Sequence, residues 1–230
     1  MLKELSAAVA EQVQGLLALM VVLLELDLAL SRGRYGQWLG AVPPRLEASE
    51  DAPFTLKDLR HPLLVWQERK EQGPAVVPVS VDVSTALRVV AITGPNTGGK
   101  TVTLKSLGLA ALMARAGLWL PCSGIPTLPW CAQVLADIGD EQSLQQSLST
   151  FSGHVKRIGR ILAAVGSGPA PALVLLDEVG AGTDPSEGTA LATALLRTLA
   201  DRARLTVATT HFGELKALKY SDPRFENASV

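Results

Sequence analysis

An α/β fold, with a parallel-rich sheet flanked by helices and preceded by an N-terminal helical segment, is what this sequence of 230 residues predicts. Two observations carry that expectation. Short, continuously apolar runs alternate with longer stretches of helical character, the pattern of buried parallel strands with crossover helices. A Gly-rich turn then joins one such run to one such stretch. Composition agrees. Hydrophobic residues make up 47% and charged residues 19%, which supplies a sizeable core and excludes a disordered or highly charged tail. With 21 basic and 22 acidic side chains the formal net charge is −1 and the pI about 6.3, so the chain is no freestanding basic nucleic-acid-binding module. Any nucleic-acid contact must be local or lie elsewhere.

The first element is an apolar run from Val13 to Leu30. Its uninterrupted part, Gly15 to Leu24, is ten residues long before Glu25 and Asp27 intervene, against the ~20 a membrane span needs. The Lys3-Glu4 start and the lack of a small-residue cleavage site argue against a signal peptide. Leu16, Leu19, Met20, Leu23, Leu26 and Leu30 recur at helical spacing and predict a buried helix, with Gly33 and Gly36 as stop signals. Its partner element need not lie in this chain. Residues 40–60, with Pro43, Pro44 and Pro53, read as a boundary rather than an element, dividing a helical segment (1–40) from a second body (54–230).

Within that body the strands are expected at Val76 to Val83, Leu87 to Ile92, Leu173 to Leu176 and Leu205 to Ala208. Helices are expected at Val102 to Ala116, Val155 to Val165 and Glu187 to Ala203, and Phe225 to Val230 reads as a strand just beginning. There is no internal repeat. Cys122 and Cys131 do not make a disulfide framework and point to a reducing compartment, the cytoplasm. They flank Pro126 and Pro129 without a nearby His pair, so they read as buried or semi-exposed thiols rather than zinc ligands. Trp38, Trp66, Trp119 and Trp130 read as core or interface.

The chemistry concentrates after the strand Arg88 to Ile92, where TGPNTGGKT places Gly94, Gly99, Lys100 and Thr101 in the pattern G-x-x-x-x-G-K-[ST]. A strand before and a helix after make this a P-loop. Its glycines let the backbone close around phosphates, its N–H groups and the helix N-terminus supply positive partial charge, Lys100 reaches the β/γ phosphates and Thr101 ligates Mg²⁺. A nucleoside triphosphate with Mg²⁺ is the expected ligand. Downstream, Leu173 to Leu176 runs into Asp177-Glu178, an acidic residue for the Mg²⁺ shell and a glutamate able to polarise the attacking water. His211 follows the strand Leu205 to Ala208; alone it reads as an ordinary loop histidine, and beside Asp177 and Glu178 as a γ-phosphate sensor.

Together GPNTGGKT, ADIGDEQS, LSTFSGH, LVLLDEVGAGTDPSEG, ATTH and ENAS resemble the ATPase domain of the MutS family. The likeness covers about residues 57–230 and is greatest to the bacterial paralogue group called MutS-two, whose full-length members carry a C-terminal Smr domain. It implies a P-loop NTPase of the ABC-type ATPase class, with the helix before Arg34 closing the family's core and lever region. It further implies dimers with composite ATP sites. Pro95, Asn96, Thr97, Gly98 and Thr103 join the nucleotide-binding set, and Arg60-His61-Pro62 matches the segment near the adenine. Ser149 and Thr150 match the signature segment that approaches the γ-phosphate of the other subunit. Asp137 to Gln142 matches a loop coupling nucleotide to the rest of the protein, with Asp140 or Gln142 orienting water or metal, and Asp184 falls near the dimer interface. Val76 to Ser80 departs from the Asn-Asp that the resemblance leads one to expect after its proline, Pro78, which bears on the purine side. His154 reads as a helix cap or, less favoured, a trans phosphate contact. Lys156, Arg157 and Arg160 read as a solvated face.

For function the resemblance implies an ATP-hydrolysing motor of a DNA-binding protein acting on mismatched or recombination-intermediate DNA, with ribosome engagement as a further role of the full-length family. Nuclease activity would reside in the Smr domain, not in these residues. The alternative is a nucleotide-dependent interaction module that does not turn over because its composite site never assembles. A chromosome-structure or repair ATPase of the same class is disfavoured by STFSGH in place of a Gly-Gly signature.

Overall fold

The computed structural model describes residues 2–94, 99–139 and 149–229. Two helices open the chain, α1 (Leu2–Glu11) and α2 (Val13–Leu39). α2 departs from expectation twice. It runs through Gly33 and Gly36, the latter lying against Trp119, and stops only at Gly40. Gly40 adopts φ +66°, its N–H donates to the Gln37 carbonyl and that of Ala41 to the Gly36 carbonyl, the paired bonds of a Schellman end. The helix is also not buried within this chain: Leu16, Leu19, Met20, Leu23, Leu26 and Leu30 are 44–65% exposed, and only Gly36 and Leu39 are buried. Its apolar residues surround the axis rather than forming one stripe, so no single neighbour in the chain could cover them. Among the described residues α2 alone is long and apolar enough to cross a membrane.

The Pro-rich stretch read as a boundary holds two strands, β1 (Arg45–Glu47) and β2 (Phe54–Leu59). In β2, Phe54, Leu56 and Leu59 face inward while Thr55 and Lys57 face out, a half-buried pattern. After α3 (Pro62–Lys70) comes β3 (Val79–Val83), which pairs antiparallel with β2. The Val76 to Val83 run therefore belongs to a small sheet, ordered β1-β5-β2-β3 with β5 at Ser123–Pro129, and not to the parallel one.

The parallel sheet is ordered β6-β7-β8-β4-β9: β6 (Gln133–Asp137), β7 (Ala172–Leu176), β8 (Leu205–Thr209), β4 (Val89–Thr93) and β9 (Phe225–Ser229). Every pair in it is parallel. Its helices are α4 (Lys100–Arg115), α5 (Ser149–Ser167) and α6 (Pro185–Arg202), with a short α7 (Leu218–Ser221) before β9. All five residues of β7 are buried. Leu173 and Leu175 enter a core with Leu104, Leu107 and Phe54, while Val174 and Leu176 enter a second one with Ile161, Leu195 and Leu196. Alternate side chains thus serve opposite faces, as a doubly covered sheet requires.

The two sheets are tied by one buried cation. Arg204, 3% exposed, donates to the carbonyls of Ala52, Ser84 and Leu87 and lies over the Phe54 ring. The protein thereby satisfies carbonyls at the sheet junction that no strand partner reaches.

Candidate nucleotide site at the carboxyl ends of the parallel strands

Strand register brings the site together. Ile92 pairs with Thr209 and Leu176 with Ala208, so β7, β8 and β4 deliver their carboxyl ends to one level of the sheet. Ligands of open α/β sheets bind at that edge. At the end of β4, Gly94 adopts φ +147°, and Gly99 adopts φ +85° as it opens α4. Side chains rarely adopt such backbones, so both positions require glycine. Pro95, Asn96, Thr97 and Gly98 lie outside the described residues. Lys100 is 2% exposed and its Nζ donates to the Gly94 carbonyl at 2.7 Å, holding the ammonium at the end of β4. The Thr103 hydroxyl donates to the Gly99 carbonyl at 3.0 Å, closing the first turn of α4 instead of facing the site.

Thr101 Oγ1 donates to Asp177 Oδ2 at 2.8 Å, so the two groups expected to share a metal already touch between the first turn of α4 and the end of β7. Asp177 is buried, and its other oxygen accepts from the Thr209 hydroxyl. Thr209 in turn accepts the Glu178 backbone N–H at 2.7 Å. Glu178 sits at φ +50°, left-handed backbone that costs energy for a non-glycine residue and recurs where a side chain must be aimed. Its carboxylate lies 3.2 Å from His211 Nε2, both side chains partly open to solvent. The structure brings together Gly94, Gly99, Lys100, Thr101, Asp177, Glu178 and His211.

The fit to Mg·ATP is chemical: a hydroxyl and a carboxylate in contact offer hard oxygen ligands, and the left-handed glycines and helix start offer backbone N–H groups to phosphate. The model of MutS domain V matches residues 90–230, which contain all of these groups. The chain belongs to the MutS family. It is 60% identical over 245 residues to a protein of Synechocystis sp. named Endonuclease MutS2, covering all of this chain and 30% of that protein. Proteins of the same name from Pelotomaculum thermopropionicum and Symbiobacterium thermophilum are 48% and 46% identical over 229 residues. This chain spans about 30% of the length of such relatives. Its fold is that of a P-loop ATPase.

Other expected positions in this MutS chain are less central. His61 is the N-cap residue of α3, its side chain makes no capping bond, and its Nδ1 is buried without a partner. Burial pulls its pKa below the usual histidine range, with Lys105 adding to the effect. Ser149 and Thr150 begin α5, and their side chains lie outside the description, as do Asp140 and Gln142. Asp184 caps α6, accepting the N–H groups of Ser186 and Glu187, and the Ser186 hydroxyl together with these amides holds its carboxyl below the usual range. His154 does not cap a helix: α5 begins at Ser149, and His154 Nδ1 instead lies 2.7 Å from Asp137 Oδ2.

Lys156 and Arg160 are exposed, as a solvated face requires, whereas Arg157 pairs with Asp137. Trp66, Trp119 and Trp130 are 43–47% exposed, so they are not core; Trp38 is half-buried, stacked on Tyr35 and under Arg69. Both cysteines are buried and free, their thiols pushed up to about 12 chiefly by burial. Sequence reasoning assigned no role to Thr209. The only signal was its place in ATTH, one strand over from Asp177.

Proposed function

We propose that this chain is the ATP-hydrolysing motor of a MutS-type DNA-binding protein, with residues 1–40 closing a core and lever region and 54–230 forming the ATPase domain. The observation that carries this reading is the contact chain Thr101, Asp177, Thr209, Glu178 and His211 at one sheet edge. Thr101 and Asp177 would hold Mg²⁺, which when bound neutralises charge developing on the phosphates. Backbone N–H groups from Gly94 to Thr101, where Pro95 alone has none, bind the phosphates, and Lys100 leaves the Gly94 carbonyl to meet the β/γ oxygens. Glu178, aimed by its left-handed backbone, orients the attacking water and draws its proton toward the carboxylate. His211 steadies that carboxylate and hydrogen-bonds the γ-phosphate oxygen.

In this reading two copies form composite sites, Ser149 and Thr150 of each meeting the nucleotide of the other, and His61 lies on the adenine side. The exposed apolar surface of α2 packs against further parts of a longer protein rather than lipid. DNA engagement, mismatched or recombinational, is carried by regions outside this chain, in the cytoplasm, and nuclease chemistry is not assigned to these residues. Ribosome association would likewise belong to the longer protein. Turnover that rises with protein concentration and vanishes in Glu178→Gln supports the motor. Intact ATP binding without turnover at any concentration would establish the nucleotide-dependent interaction module instead.

A further inference from the structure

Asp137 ends β6, the edge strand beside β7, and is 3% exposed. Its main chain and its side chain hold different parts of the molecule. The backbone carbonyl accepts the N–H of Asp177 at 2.8 Å, fixing the residue that meets Thr101. The carboxylate takes His154 Nδ1 at 2.7 Å on one oxygen and Arg157 Nε on the other. His154 and Arg157 are three residues apart on α5 and therefore share one face of it. Asp137, His154, Asp177 and Glu178 also line a cavity of about 20 Å³, room for one water.

Apolar contacts of Ile158, Ile161 and Leu162 hold α5 on the sheet but are non-directional. A buried carboxylate bonded to two side chains is directional. It fixes both the rotation of α5 and its offset along the sheet, and so the position of the helix's first turn, one turn before His154.

We propose that Asp137 and His154 are positioning residues that couple the two halves of the composite ATP site, joining the Asp177 strand of one subunit to the α5 turn that it offers to the nucleotide of the other. This rests on the reading that α5 serves a second copy. An error of ~1 Å in such a group costs on the order of 100-fold in rate. His154→Ala is therefore expected to lower kcat by at least about tenfold while KM for ATP stays within about twofold. His154→Asn, which keeps an N–H for Asp137, is expected to retain most of the turnover.

Mixing variants separates this from a merely local role. In a mixed dimer of Glu178→Gln and His154→Ala, one site carries both lesions and the other carries neither. Random pairing then returns about a quarter of wild-type turnover from two impaired proteins. Recovery near that level supports the proposal, and should His154→Ala fail to fold, Asp137→Asn takes its place in the mixture. Wild-type turnover without recovery in the mixture, or equal loss in His154→Ala and His154→Asn, overturns it. Wild-type protein that binds ATP but never hydrolyses it overturns the motor reading and this proposal together.

Discussion

Thr209 is a small residue whose one hydroxyl serves two partners: it donates to Asp177 and accepts from the Glu178 N–H, bridging the ends of β7 and β8. Replacing it with valine keeps volume and β-propensity but leaves a buried N–H and a buried carboxylate oxygen unpaired. Thr209→Val should destabilise by about 1–3 kcal/mol in urea unfolding and lower kcat more than KM. Glu178 and Asp177 were legible because an apolar run ending in two acids has few structural uses. Thr209 was not, because a threonine in a strand is ordinary and only register shows what its hydroxyl faces. The cysteines give a second residue-scale test. With thiols pushed up to about 12, Cys122 and Cys131 hold almost no thiolate near neutral pH, so alkylation of the native protein at about pH 8 should be far slower than of the urea-unfolded chain. Equal rates would show that neither site is enclosed.

At the scale of elements, α6 and the loop before it show how tightly the acidic strand end is packed. A Cβ on Gly188 would lie 2.5 Å from the Gly180 carbonyl oxygen, backbone against backbone. Gly188→Ala should therefore cost about 1–3 kcal/mol and shift the loop after Glu178, measurable as a lower Tm with reduced turnover. The main helices and the parallel strands β4, β7 and β8 could be read from the sequence because their helical periods and apolar runs are continuous. β1 and β5 could not: Pro43 and Pro44 stand before one, and Pro126 and Pro129 lie within the other, where only sheet pairing overrides the turn signal. Gly36 misled for a related reason, since its place is set by contact with Trp119 and not by helix termination.

Across the whole molecule, two sheets must be joined, and Arg204 does so through three carbonyls and its contact with the Phe54 ring. Arg204→Met should lose about 1–3 kcal/mol in urea unfolding, since it leaves the carbonyl of buried Ala52 without its partner. His61 adds a pH dependence. Its folded pKa is depressed, so below the unfolded value of about 6.5 the unfolded chain binds the proton first. Stability should be full above that pH and decline as pH falls toward the folded value, with His61→Gln flattening the decline in Tm. The apolar faces of α2 were legible, and whether this chain covers them was left open, because a sequence reports that a surface wants burial and not which segment supplies it; within this chain they are exposed. The near-neutral charge is consistent with a motor that leaves DNA contact to other regions.

The most direct measurement is steady-state ATP hydrolysis of the wild-type chain and Glu178→Gln across a range of protein concentrations with Mg²⁺ present. Specific activity that climbs with concentration to a plateau in the wild type, and falls by about 100-fold or more in Glu178→Gln with ATP still bound, is the result expected. Turnover that is unchanged in Glu178→Gln would contradict the role given to the Asp177-Glu178 strand end.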